Sequence, residues 1–213
     1  MDVYIILSII CYFLGSIPTS YILGRKLYNI DILNSGSYHS GLSNIYKYAS
    51  RKIVLIILST DVLLKGFVPV YIIYNFYNSY ILSAIFLIFG HNWSLFLRFK
   101  GGKGLSVSIG ILAALNIKIF LLLLFLFFLF WVIEKFKDSS KPWILSFLFT
   151  VFILVIDFFY LNKIFDNLSI MSVYLTIFVF LLLLFRRTLG NESYNNFNRK
   201  ILLNRLMFDR DIK

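Results

Sequence analysis

The chain has 213 residues, 60% of them hydrophobic and 15% charged, with a mean hydropathy of +0.83 and a net charge of +11. So little polar surface cannot coat a water-soluble domain, which excludes a soluble globular protein and predicts an all-α, polytopic membrane protein. The basic excess fits short loops on the positive side of a bilayer and implies membrane lipids, not a nucleic acid, as partner.

Seven apolar runs follow in order: residues 3–23, 53–74, 80–97, 105–115, 117–133, 143–160 and 168–185. Most are close to the roughly 20 residues that a helix needs to cross a bilayer. The first begins after Asp2 and lacks both a basic leader and a small-residue cleavage site, so it reads as an uncleaved span. It carries the single cysteine, Cys11, read as an apolar packing residue that excludes an intramolecular disulfide.

A polar segment rich in Gly, Ser and Asn follows at residues 34–44, and it reads as a functional loop. The second run holds Asp61 and Lys65 four residues apart on one helix face, where an unpaired charge is costly, so the two are expected to pair. The third run ends in a glycine-rich basic stretch at residues 90–104. The run at 105–115 is too short to cross alone and either sits inside the bundle or merges with the run after it. Asp157, near the end of the sixth run, is expected to reach the interface by snorkelling. The tail is basic, with an apolar stripe at Ile201, Leu202, Leu203, Leu206 and Met207 that reads as a surface-lying helix. No internal repeat of the kind found in many transporters is visible.

Charge sets the count and the orientation. With about seven transmembrane helices, every Lys and Arg except Lys65, Lys118 and Lys163 falls on one side. That places the N-terminus outside and the C-terminus in the cytoplasm. The chain then divides into a membrane domain, residues 1–190, and a basic cytoplasmic tail, residues 191–213.

Two loops carry chemistry. In the stretch Lys100-Gly101-Gly102-Lys103-Gly104 the glycines let backbone N–H groups approach an anion, the lysines add charge, and a helix starting at Leu105 turns its positive end to the same place. An anionic headgroup or phosphorylated metabolite fits such a loop, although its spacing is not that of a nucleotide-binding P-loop. The loop at residues 36–44 offers Ser37, Ser43 and Asn44 to phosphate or glycerol oxygens, with Lys47 close behind; a solvated turn without chemical role is the alternative. His91 borders the basic loop as a structural or substrate-contacting residue. Neither His39 nor His91 has a carboxylate or cysteine at ligand spacing, so no metal site is expected.

Taken together, Gly15-Ser16-Ile17-Pro18 with Gly24, Gly36-Ser37 through Gly41-x-Ser43-Asn44, Asp61-x-x-x-Lys65-Gly66 and Gly90-His91 through Phe99-Lys100-Gly101-Gly102-Lys103-Gly104 resemble the bacterial acyl-phosphate:glycerol-3-phosphate acyltransferase family. The resemblance implies acyl transfer from an acyl phosphate to the 1-hydroxyl of glycerol 3-phosphate, giving lysophosphatidic acid without metal or coenzyme A. It implies catalytic roles for Ser37 and Lys103. It gives substrate binding to Ser43, Asn44, Lys47, His91, Lys100, Gly101, Gly102, Gly104 and Arg186, in a site facing the cytoplasm at the bacterial plasma membrane. Against the family pattern, Tyr38 stands for Gly, His39 for Asn, Ser43 for Thr, Lys47 for Arg and Ser94 for Pro. In the third motif Arg186, Gly190 and Glu192 align, but the His and Asn positions fall on Phe180 and Leu183; a second register through Asn196 and Arg199 puts Ser193 at the His. The residues alone leave two rivals, a non-catalytic paralogue that binds anionic lipid or glycerol 3-phosphate and a transporter of small phosphorylated solutes.

Overall fold

The computed structural model describes residues 2–165, 168–189 and 199–208, and every regular element among them is helical. All seven apolar runs are helical. Five helical stretches, Val3–Tyr28, Arg51–Phe76, Asn78–Leu97, Ser140–Leu161 and Ile170–Thr188, are long and apolar enough to cross a membrane, and Leu105–Leu115 and Ile117–Ile133 are shorter. The chain groups into two compact units, residues 1–114 and 115–213.

The first unit opens with α1 (Val3–Ser16), whose first turn is capped by the Asp2 carboxylate accepting the Tyr4 N–H at 3.1 Å. The run continues as α2 (Thr19–Tyr28), but not as one rod. Pro18 has no N–H to give and steers Ile17 out of helical backbone (φ −59°, ψ 113°), so the chain breaks there. A polar segment leads to the short α3 (Leu42–Ile45). Its Ile45, with Ile32 before it and Ile57 of α4 (Arg51–Ser59), forms a fully buried apolar cluster that ties the segment to α4.

Between α4 and α5 (Val68–Phe76) the helix widens into a π-helical stretch, Thr60–Phe67. Pro69, one residue into α5, cannot donate and its ring would press on the carbonyl one turn back, and the wide turn accommodates it. A 3₁₀ segment, Asn78–Ala84, feeds α6 (Ile85–Asn92), and the basic stretch then leads to α7 (Leu105–Leu115).

Two glycine contacts set the spacing of these helices. A Cβ on Gly90 would overlap the Tyr12 carbonyl of α1, and one on Gly110 of α7 would overlap the Val62 carbonyl of the π stretch. Backbone-to-backbone contact of this kind brings polar side chains of different helices within reach of each other.

The second unit contains α8 (Ile117–Ile133), α9 (Ser140–Ile156) with a π-helical end at Asp157–Leu161, α10 (Ile170–Thr188) and α11 (Arg199–Phe208). Asn116 is extended and caps α8 by accepting the Lys118 N–H at 2.8 Å, so the run at 105–115 does not merge with the next. Phe127 stacks on Trp143 with 3.9 Å between centroids, and Phe147 lies parallel to Phe180. Asp157 does not snorkel. It is buried and accepts the N–H groups of Lys163, Ile164 and Phe165, because closing the turn beyond α9 gives its carboxylate three donors inside the protein. The tail helix α11 is joined to the end of α10 by Arg205, which donates to the Thr188 carbonyl at 3.1 Å, and by Arg187, which donates to the Leu206 carbonyl at 3.2 Å. Cys11 is free and buried as expected for a packing residue.

Candidate functional site

The site lies in the first unit, where its two loops touch. In the loop at 36–44 one side chain organises the backbone. The Asn44 amide is fully buried; its Nδ2 donates to the carbonyls of Ile32 (2.8 Å), Ser35 (2.9 Å) and His39 (3.0 Å), and its Oδ1 accepts the Ser37 N–H at 3.1 Å. Gly36 takes φ +64° with Asn44 Oδ1 where its Cβ would be, so only glycine fits. Tyr38 is also left-handed, at φ +57°, and His39 Nδ1 donates to the Ser37 carbonyl at 2.6 Å, a short-range bond of the type that Asn also makes. Both amide ends of Asn44 are engaged inside the loop, so Asn44 holds the loop's backbone in shape. Ser37 Oγ, by contrast, is a buried hydroxyl with no hydrogen-bond partner. Ser43 and Lys47 are exposed, on α3 and just beyond it.

The basic loop is shaped by backbone. His91, buried at the end of α6, accepts the Gly102 N–H on its carbonyl at 2.9 Å. A Cβ on Gly101 would overlap the carbonyls of His91 and Asn92, and one on Gly102 would overlap the His91 ring. Arg98 and Phe99 are left-handed (φ 51° and 62°), which turns the chain so that the Phe99 N–H reaches the Ser94 carbonyl at 2.8 Å. Ser94 itself has φ −64°, the value that a proline ring fixes, and its hydroxyl donates to the Ser16 carbonyl at 2.5 Å, a bond that proline lacks. Lys100 is exposed, Lys103 is half-buried, and Gly104 at φ +79° precedes the first turn of α7.

The loops join where the Ser40 N–H donates to the Gly101 carbonyl at 3.4 Å, with Gly41 facing Gly102. Ser37, His91, Gly101, Gly102, Lys103 and Gly104 therefore belong to one structural neighbourhood of the first unit. Arg186 belongs to the second unit, where it is buried and donates to the Leu189 carbonyl at 2.9 Å. Phe180 and Leu183, which take the third motif's His and Asn positions in one register, are buried apolar residues of α10. Gly190, Glu192, Ser193 and Asn196 lie outside the described residues.

Asp61 and Lys65 pair as expected, with Nζ–Oδ1 at 2.5 Å and both side chains buried. Their third member was not visible in the sequence: Ser106, in the first turn of α7, donates to Asp61 Oδ2 at 3.1 Å. A small, partly open cleft was also missed, lined by Ser16, Ser20, Ser40, Lys65, His91 and Ser94. Its one sequence signal is Gly15-Ser16-Ile17-Pro18, which marks the break between α1 and α2. Among the described residues no group of three His, Cys, Asp or Glu side chains is placed to hold a metal ion.

Comparison with known proteins gives one consistent result. A family model described as glycerol-3-phosphate acyltransferase matches residues 5–191. A glycerol-3-phosphate acyltransferase of Fusobacterium nucleatum is 33% identical over 80% of this chain and 86% of its own length. One from Wolbachia pipientis is 36% identical over 84% of this chain and 91% of its own. The crystal structure of PlsY (YgiH), an integral membrane glycerol 3-phosphate acyltransferase in its glycerol 3-phosphate form, superposes with a TM-score of 0.75 at 22% identity, over 87% of this chain and 88% of that one. At that identity the likeness shows the fold, a multi-pass integral membrane one.

Proposed function

The chain belongs to the glycerol-3-phosphate acyltransferase family, and from that premise we propose that it transfers an acyl group from an acyl phosphate to the 1-hydroxyl of glycerol 3-phosphate. The product is lysophosphatidic acid, made for phospholipid synthesis at the cytoplasmic face of a bacterial plasma membrane. In this reading the N-terminus is outside, residues 1–190 are the membrane-embedded acyltransferase and residues 191–213 a basic cytoplasmic tail.

The observation that carries the reading is the junction of the two loops, which brings a buried, unpartnered hydroxyl, Ser37 Oγ, into the same neighbourhood as the glycine-rich loop that holds Lys103. An acyl phosphate already has a good leaving group. The protein has only to hold two anions together, neutralise their charge and keep water from the carbonyl. The glycerol hydroxyl oxygen attacks the acyl carbon, the bond from that carbon to the phosphate oxygen breaks, and the electron pair leaves with the phosphate. The hydroxyl proton passes to a phosphate oxygen, so the step needs neither metal nor a histidine base. Lys103, with Lys100 and Lys47 outside it, supplies positive charge, the N–H groups around Gly101 to Gly104 receive phosphate oxygens, and Ser37 orients the reacting group. Arg186 is assigned to substrate binding by its place in the third motif. The closed Asp61–Lys65–Ser106 set leaves no unpaired charge for a solute path through that helix, which disfavours a transporter.

The test is acyl transfer by the purified chain in lipid, with palmitoyl phosphate or palmitoyl coenzyme A offered to labelled glycerol 3-phosphate. Product is expected with the phosphate donor only, and Lys103→Ala is expected to lower the rate by about 100-fold or more. If the folded chain binds glycerol 3-phosphate without making product, the non-catalytic paralogue is the correct reading.

A further inference from the structure

The basic loop is fastened at its start to α1. Tyr12 and Ser16 lie one turn apart on one face of α1, and that face presses on the end of α6, where a Cβ on Gly90 would overlap the Tyr12 carbonyl and the Ser16 nitrogen. Hydrogen bonds cross this contact. The Tyr12 hydroxyl donates to the Trp93 carbonyl at 2.8 Å, and the Ser94 hydroxyl donates to the Ser16 carbonyl at 2.5 Å. Ser16 is the last residue of α1, so its carbonyl is one of those that a helix end leaves without a partner in the helix, and the chain breaks at Pro18 before α2 begins. Both serines are buried, which shields the bond from water.

The rest of the loop hangs from Ser94. Its carbonyl accepts the N–H groups of Leu97 at 3.1 Å and Phe99 at 2.8 Å, and the left-handed pair Arg98 and Phe99 then turns the chain toward Gly101 to Gly104. The Ser94 backbone, at φ −64° and ψ 125°, sets the direction of that carbonyl. A proline ring would hold this φ by itself, whereas serine is free across the extended and helical regions. What holds it here is the hydroxyl bond to α1.

We propose that Ser94 is a positioning residue for the transfer reaction: its bond to the Ser16 carbonyl stands in for a proline ring, fixing the turn at 94–99 and with it the backbone of the basic loop. The inference rests on the acyl-transfer reading above. Ser94 acts through Gly101 to Gly104 and need not touch substrate. Because it also lines the small cleft with Lys65 and His91, direct contact between its hydroxyl and substrate is the rival role, and one substitution separates the two. Ser94→Pro removes the hydroxyl and keeps the φ. Trp93 before it, at φ −130° and ψ 67°, is already outside helical backbone, so a proline fits after it. Ser94→Ala removes the hydroxyl and leaves φ free.

The experiment measures transfer from palmitoyl phosphate to labelled glycerol 3-phosphate by the full chain in lipid, at a temperature well below the melt of every variant, together with hydrogen–deuterium exchange over residues 97–102. Ser94→Ala is expected to lower kcat by about tenfold or more, and to speed exchange over 97–102 by about tenfold with α8 to α10 unchanged. Ser94→Pro is expected to return both readouts to within about twofold of the parent. An unchanged kcat in Ser94→Ala would overturn the proposal, because the loop would then keep its working geometry without the bond. Ser94→Pro as slow as Ser94→Ala, with slow exchange restored, would overturn it in favour of direct contact between the hydroxyl and substrate. The same slow rate with exchange still fast would show that φ is not what the bond supplies. If the parent makes no lysophosphatidic acid, the transfer reading fails, and Ser94 with it as a residue of that reaction, even where exchange keeps the tie to α1. If the parent makes it and Ser94→Ala is indifferent, the reading stands and the proposal alone fails.

Discussion

The loop at 36–44 and the loop at 90–104 meet where Ser40 bonds Gly101, but they keep their shapes by different means. The first is held from within by a side chain, Asn44, which ties three carbonyls and one N–H together. The second is held by backbone contact, with Gly101 pressed on the carbonyls of His91 and Asn92. A loop held by one side chain tolerates change at its other positions, because their side chains are not what closes it. A loop whose backbone touches backbone tolerates no added atom. The departures from the family pattern fall accordingly. Tyr38, His39, Ser43 and Lys47 all sit in or just after the first loop, and Tyr38 occupies left-handed backbone at a cost of about 1–2 kcal/mol relative to glycine. In the second loop the glycines all stand, and the one departure, Ser94, keeps a proline's φ.

Breaking the second loop is expected to have the largest effect. In Gly101→Ala the new methyl has two backbone carbonyls in its place, neither of which can rotate away. The change is expected to cost about 3 kcal/mol in a thermal or denaturant melt and to lower transfer by about 100-fold, since both loops must shift. A stable and active Gly101→Ala would show that the loop is held by its lysines after all.

The second expected effect is smaller. Asn44→Ala leaves three carbonyls and one N–H of the first loop without their partner, and is expected to cost about 2 kcal/mol in the same melt. Asn44→Asp separates the two ends of the amide. A carboxylate still accepts the Ser37 N–H but cannot donate to the carbonyls of Ile32, Ser35 and His39, so it is expected to fare no better than alanine. Rescue by Asp would mean that the Ser37 bond alone shapes the loop.

How much of this the sequence carried depends on distance along the chain. The apolar runs were legible because span length and charge are local quantities, and all seven are helical. The break inside the first run was written at Pro18 but reads there only as a motif, since a proline near a helix start is common. The glycine-rich loop announced its close backbone packing through composition. What joins it to the rest did not: Ser40 meets Gly101 and Asp61 meets Ser106 across 61 and 45 positions. Asp157 was misread, and the backbone bonds of Asn44 went unseen, for one reason. A polar side chain in a loop or near a helix end looks available for ligand or water until the backbone groups around it are located, and here those groups had first claim.

Gly41 sharpens the comparison because it looks like the glycines of the second loop and differs from them physically. Its φ is −103°, open to any residue, and the nearest atom to an added Cβ is Gly102 Cα at 3.9 Å, an ordinary contact. Nothing in the protein's own packing requires glycine there, so Gly41→Ala is expected to leave stability within about 0.5 kcal/mol of the parent. The added methyl would stand in the gap between the two loops, where the proposed reaction brings substrate against both backbones, and transfer is expected to fall by about tenfold or more. A melt and a rate measured on the same preparation separate these effects. If both are unchanged, the gap between the loops is not where substrate lies. If both fall, the first loop is packed as tightly as the second and the contrast between them fails. Lost activity in a fully stable protein would leave substrate approach as the reason for glycine at position 41.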